Sequence, residues 1–356
     1  VRIAFIVLAL VGSMMATIQS AAASEDVVRG DLHATTEDGV RIFVRELRPR
    51  SWLDGAEPII LLHGARVPGL ASFDLPVTGG SFAADLAQRS GRLVYVMDAR
   101  GYGGSDRAAA FEQPPEANPP QSRAYLVVRD IAAVVSIAKE RSGSRTVCLL
   151  GWATGGMWVG YYASLHPEDV GHLVTLNALY GGSAQHSQFG PGSPVSDPAH
   201  PDRLSPTIGA YARYDAASLL PGWDKSIPVA DKDQWRDPVV AAAYQRAALE
   251  SDPESQKSEP PAFRAPMGAI EDSFYQASGR RLFDASTITG HILVVRSERD
   301  FWSRPEDVQA FAHDAVHARS IRIVALPEAT HFVHLDRPER GRGQLLDALQ
   351  GFLVEP

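Results

Sequence analysis

Three positions in this chain have residue types that together suit nucleophilic chemistry. The first lies in Gly151-Trp152-Ala153-Thr154-Gly155-Gly156, whose glycine spacing is that of a G-x-S-x-G nucleophile elbow. The second, Asp300, closes Ser297-Glu298-Arg299-Asp300, and the third, His331, follows Thr330. In such a trio an imidazole takes the proton of an attacking hydroxyl and returns it to the leaving group. A carboxylate fixes the ring tautomer and stabilises the imidazolium. His331 is the candidate base and Asp300 the candidate carboxylate, with Glu298 as second choice. Asn177, at the end of the strand after the elbow, is not acidic, which disfavours a carboxylate supplied from there. His334 reads as a neighbour of the base. The nucleophile position itself holds Ala153, which has no atom that can attack.

Each position needs an element to hold it. Residues 147–150 form an apolar run into the elbow, and residues 157–166 can continue as a helix. Residues 58–62 are apolar throughout, as in a strand buried on both faces of a parallel sheet, and they end in His63-Gly64-Ala65-Arg66. Residues 93–97 form a strand that runs into Asp98-Ala99-Arg100-Gly101-Tyr102-Gly103-Gly104-Ser105. Its glycines match neither a Walker loop nor G-x-G-x-x-G, so nucleotide binding gains no support. Further strands are expected at 173–176, at 291–296 before Asp300 and at 321–326 before His331. Residues 27–36 and 40–46 read as a hairpin around Glu37-Asp38-Gly39. Helical patterns at 81–89, 125–139, 305–313 and from Pro338 to near Val354 alternate with these strands. That alternation predicts an α/β fold with a mainly parallel sheet flanked by helices.

The pattern changes over residues 178–286, which are rich in Pro, Gly, Ser and Asp, with helical patches at 208–220, 239–249 and 267–275. A structureless loop of that length does not suit a compact domain, so the stretch reads as a helical cap inserted between two late strands. Trp223, Trp235, Phe274 and Tyr275 suit either the lining of an apolar pocket or the cap's own core, and each is read as core. Residues 24–177 and 287–356 form the expected core. Residues 1–23 read as a signal peptide: Arg2, an apolar run at 3–11, then Ala21-Ala22-Ala23. That implies secretion, to a bacterial periplasm for example, with no stable membrane anchor after cleavage. The 356 residues are 45% hydrophobic with a net charge of -8, which argues against a nucleic-acid partner. Cys148 is the single cysteine, so no intrachain disulfide forms. The 11 histidines show no H-E-x-x-H spacing, and no metal or cofactor is implied.

His63-Gly64, Asp98 to Ser105, the elbow, Ser297 to Asp300 and Thr330-His331 stand in the order found in α/β-hydrolases, which the chain resembles over almost all of residues 24–356. The resemblance implies an α/β-hydrolase fold. It places an oxyanion hole at the backbone N–H groups of Ala65 and Thr154, with Asp98 and Arg100 pinning a loop. Trp152 and His63 are expected to contact substrate. The implied reaction is cleavage of a small-molecule carboxylic ester through an acyl-enzyme, with lactones or amides as less favoured substrates. Ala153 departs from the family. Loss of a triad nucleophile lowers activity by roughly 10³–10⁶-fold. The preferred reading is a Ser→Ala change in a working hydrolase, which would hold its substrate intact. The alternatives are a natural ligand-binding protein of the same fold and a parent with Asp at this position, as in dehalogenases and epoxide hydrolases.

Overall fold

The structure, a computed structural model, describes residues 26–354; the expected signal peptide lies outside them. A largely exposed strand, β1 (Val27–Thr35), pairs antiparallel with β2 (Arg41–Pro49), whose first residues alternate between solvent and core. Gly39 turns the hairpin at φ +81°, a conformation open to a residue without Cβ. Ile42 and Val44 face the core, fully buried.

The continuous apolar runs become strands buried on both faces. They are β3 (Ile59–Leu62), β4 (Val94–Met97), β5 (Val147–Trp152) and β6 (Val170–Leu176). Two strands of the later chain, β9 (His291–Arg299) and β10 (Ser320–Thr330), complete an eight-stranded sheet in the order β1-β2-β4-β3-β5-β6-β9-β10. The pairs β1–β2 and β2–β4 are antiparallel and every other pair is parallel.

Between these strands run α1 (Gly69–Phe73), α2 (Phe82–Ser90), α3 (Ala124–Ser142) and α4 (Thr154–Leu165). The Ser81 hydroxyl accepts the Ala84 N–H to start α2, and Gly91 ends it in the left-handed region. Helix α4 packs on β5 and β6. Because the strands are parallel, the loops that leave their C-terminal ends meet along one edge of the sheet, where such sheets gather functional residues.

The chain between β6 and the sheet's later strands contains a two-stranded antiparallel sheet, β7 (Tyr211–Asp215) with β8 (Ala262–Pro266). It also carries α5 (Pro221–Ser226), α6 (Pro238–Glu250) and α7 (Gly268–Ala277). The helices expected near 239–249 and 267–275 are α6 and α7. The one expected at 208–220 is instead β7 followed by a 3₁₀ turn, Ala217–Leu219. Its partner strand lies far along the chain, and Tyr211 stacks on Phe111 at 5.0 Å, so tertiary pairing overrides local pattern. Trp223 and Phe274 are fully buried and Trp235 nearly so; none of them lines the cavity described below.

The sheet resumes with β9 (His291–Arg299), then α8 (Pro305–Asp314), β10 (Ser320–Thr330) and α9 (Arg342–Phe352). No helix among the described residues is long and apolar enough to cross a membrane.

Candidate active site

The turn from β5 into α4 is made by Ala153 at φ 52° and ψ -116°. Its N–H donates to Leu176 O at 2.8 Å, which ties the turn to β6. Three glycines make room for it. A Cβ on Gly151 would run into the Gly155 backbone, and one on Gly155 into the carbonyls of Leu62 and His63. One on Gly156 would fall 2.5 Å from the Ala178 Cβ. The loop after β3 crosses the same point: a Cβ on Gly64 would lie 3.3 Å from the Trp152 ring and 3.4 Å from the Ala153 Cβ. The expected oxyanion loop and the elbow are therefore in van der Waals contact.

Asp300 and His331 are joined by a 2.5 Å hydrogen bond from His331 Nδ1 to Asp300 Oδ1. The carboxylate also accepts the N–H of Trp302 at 3.1 Å, the N–H of Ser303 at 2.7 Å and the Ser303 hydroxyl. Those donors fix the carboxylate plane before the imidazole arrives. With Nδ1 committed to Asp300, Nε2 is the nitrogen left for a reacting group. Glu298, the second choice, is exposed and accepts the Glu328 N–H instead. His334 is fully buried 4.5 Å from the Trp152 ring, and burial holds its pKa well below the usual imidazole range.

Asn177 sits at φ 52° and is fully buried. Its amide donates to Ser297 Oγ and His331 O at 3.0 and 3.2 Å, and its Oδ1 accepts the Ser297 N–H at 2.7 Å. Trp152 Nε1 donates to the same His331 carbonyl at 2.9 Å. Sequence alone shows of Asn177 only that it is not acidic; in the structure the ends of β5, β6 and β9 are cross-tied here, and two of them hold the backbone of His331.

His63, expected at the substrate, is not among the residues that line the cavity. It is fully buried, its Nδ1 2.7 Å from Gly64 O, while its Nε2 accepts the Ala99 N–H at 3.1 Å. Burial lowers its pKa to about 4, so the ring stays neutral and works as a clasp between the loops after β3 and β4. Asp98 accepts the N–H groups of Gly69 and Gly104, and Arg100 pairs with Asp130 and Asp38. Both thus fix the loop, as the resemblance implied. Tyr102, which no sequence signal marked, donates its hydroxyl to Ala65 O at 2.6 Å and sets the orientation of the peptide that follows Ala65.

Ala65, Trp152, Ala153, Thr154 and His331 share one cavity of about 400 Å³. Aromatic and aliphatic side chains from the loops and the inserted segment form most of its wall, among them Phe189, Tyr244, Ile270, Phe301 and Phe332. Thr154 begins α4, so its N–H has no acceptor within the helix. Among the described residues, His166, Glu168 and Asp169 have the spacing of metal ligands. None of them lines the cavity, and Asp169 is already held by Lys139 and Tyr162.

Solved structures resemble this one over nearly its whole length. An esterase from Exiguobacterium antarcticum superposes with a TM-score of 0.57 at 15% identity, covering 92% of this chain and 100% of that one. An esterase from Thermogutta terrifontis gives 0.54 at 15%, covering 91% and 98%. An N-acyl homoserine lactone degrading enzyme gives 0.55 at 19%, covering 90% and 100%. At such identities the likeness is one of fold. No curated protein matches the sequence. Residues 59–341, however, match the profile of the alpha/beta hydrolase family, a stretch that runs from β3 past His331 and takes in both strand-end loops and the elbow. The chain belongs to the alpha/beta hydrolase family.

Proposed function

We propose that this site is built to hydrolyse a small carboxylic ester through an acyl-enzyme, and that Ala153 leaves the chain able to bind that ester without cleaving it. The observation that carries the reading is His331, held by Asp300 at 2.5 Å and lining the same cavity as Ala153. With serine in place of alanine, the hydroxyl oxygen bonds to the ester carbonyl carbon while its proton passes to His331 Nε2. The carbonyl electrons move onto oxygen, where the N–H groups of Ala65 and Thr154 meet the new charge; such a donor contributes about 3 kcal/mol. The tetrahedral adduct collapses, the alcohol leaves with the proton from His331, and water repeats the sequence to release the acid. Lactones fit the same route, with the alcohol remaining attached to the acid.

The test is hydrolysis of short-chain aryl esters by the chain and by its Ala153→Ser variant. We expect serine to raise the rate by about 10³-fold or more, and His331→Ala in that background to abolish the gain. Silence of Ala153→Ser over a range of acyl lengths would sink the ester reading and favour a ligand-binding protein. Activity of Ala153→Asp on haloalkanes or epoxides would instead point to a carboxylate nucleophile in the parent.

A further inference from the structure

Arg66 follows the oxyanion residue Ala65 directly and lines the cavity half-buried. Apart from His331, it is the one ionisable cation among the cavity residues, and no carboxylate is among them. Its guanidinium lies 5.4 Å from the centre of the Tyr214 ring. One Nη donates to Ser218 O, at a long 3.4 Å. No described carboxylate is paired with it. A guanidinium has five N–H donors in one plane, and support by an aromatic neighbour leaves most of them for another acceptor.

A cation held this way among apolar walls calls for an anion. Charge-assisted hydrogen bonds strengthen where water is excluded, and a carboxylate matches the guanidinium fork with two parallel bonds. One carboxylate neutralises the site, whereas a dianionic phosphate would leave an uncompensated charge against the aromatic wall. Building on the ester-hydrolase reading above, we propose that Arg66 anchors a carboxylate carried by the substrate, so that the site selects half-esters of dicarboxylic acids over neutral esters. Because Arg66 and Ala65 are neighbours in the chain, an anion fixed on the guanidinium also fixes where the ester carbonyl lies relative to the Ala65 N–H. Arg66 is then a positioning and specificity residue.

The experiment uses the chain as it stands, since the Ala153 form leaves the ligand intact. Calorimetry compares monophenyl glutarate, an anion, with phenyl pentanoate, a neutral ester of similar shape. We expect the anion to bind at least about tenfold more tightly. Arg66→Gln should bring the ratio of the two affinities to about one, and Arg66→Lys should restore part of it. Equal affinities in the parent chain, absence of binding by both esters, or a ratio that survives Arg66→Gln would each overturn the proposal. The parent-chain ratio needs no variant and stands if Arg66→Gln does not fold. Turnover by Ala153→Ser separates the two readings. An anion preference with no turnover removes ester hydrolysis and keeps Arg66, whereas turnover without anion preference does the reverse.

Discussion

Ala153 turns the chain at φ 52° and ψ -116°, where a Cβ is crowded by its own backbone. Holding a non-glycine residue in such a region costs on the order of 1–3 kcal/mol. Ala153→Gly relieves that strain, so its melting temperature should equal or exceed the parent's. Ala163→Gly, at a fully buried position inside α4, should destabilise the fold by at least the helix penalty of about 1 kcal/mol and lower the melting temperature accordingly. Equal losses in both variants would mean that the elbow stores no strain. Asn in place of Asp300 presents an N–H₂ where the carboxylate now accepts from Trp302, Ser303 and His331. In the Ala153→Ser background, Asp300→Asn should cut kcat by about 10⁴-fold through the wrong imidazole tautomer. Retention within tenfold, in a variant with an unchanged circular dichroism spectrum, would remove Asp300 from the triad.

The strand–helix junction shows how an element places a side chain. β5 delivers the elbow to the edge of the sheet, and α4 can start immediately only because Gly151, Gly155 and Gly156 let three backbones pass. A valine at Gly156 would meet the Ala178 Cβ at 2.5 Å. Gly156→Val should therefore destabilise by about 3 kcal/mol in denaturant titrations, at the upper end of overpacking effects. Gly30→Ala in β1 is the control, since nothing lies within 4 Å of the added Cβ; it should stay within about 0.5 kcal/mol. A Gly156→Val variant as stable as the control would show that α4 can shift without loss.

Across the whole molecule, the inserted segment is fastened to the loop that carries the base. Trp223 stacks on Phe332 at 4.9 Å, and its Nε1 donates to Asp336 Oδ1 at 2.8 Å. Asp336 Oδ2 accepts the Thr330 hydroxyl at 2.6 Å, one residue before His331. The Arg337 N–H donates to Trp235 O, and Arg236 forms a backbone bridge to Asp336. Burial raises the Asp336 carboxyl to about 7, despite the Thr330 and Trp223 hydrogen bonds and the nearby Arg236 charge. Its ordinary unfolded value is about 4. The folded state thus holds this proton more tightly than the unfolded chain does. The resulting stabilisation is complete below about pH 4 and is lost as pH rises through about 7. Asp336→Asn cannot ionise and should keep a flatter melting temperature between pH 5 and 8 than the parent. Parallel pH profiles for the two proteins would rule out Asp336 as a source of the slope.

A mainly parallel sheet, the chain order of its functional ends and the elbow follow from residue pattern alone. Runs such as 59–62 and 147–150, short and bounded by turn residues, have the pattern of a strand covered on both faces, and glycine spacing marks places where backbones pass closely. Asp300 is legible because it closes a buried strand pattern, His331 because it follows the last, largely exposed strand, and the empty chemistry of Ala153 because the glycines around it are intact. Other features depend on long-range packing. β7 became a strand because β8 lies beside it, and no local pattern encodes a partner that distant. His63 was expected beside substrate and instead clasps two loops, because the direction of a side chain at a strand end depends on what packs around it. Asn177, Tyr102 and Arg66 act through partners that are remote in sequence, and their roles follow from hydrogen bonds and walls that exist only once the chain is folded.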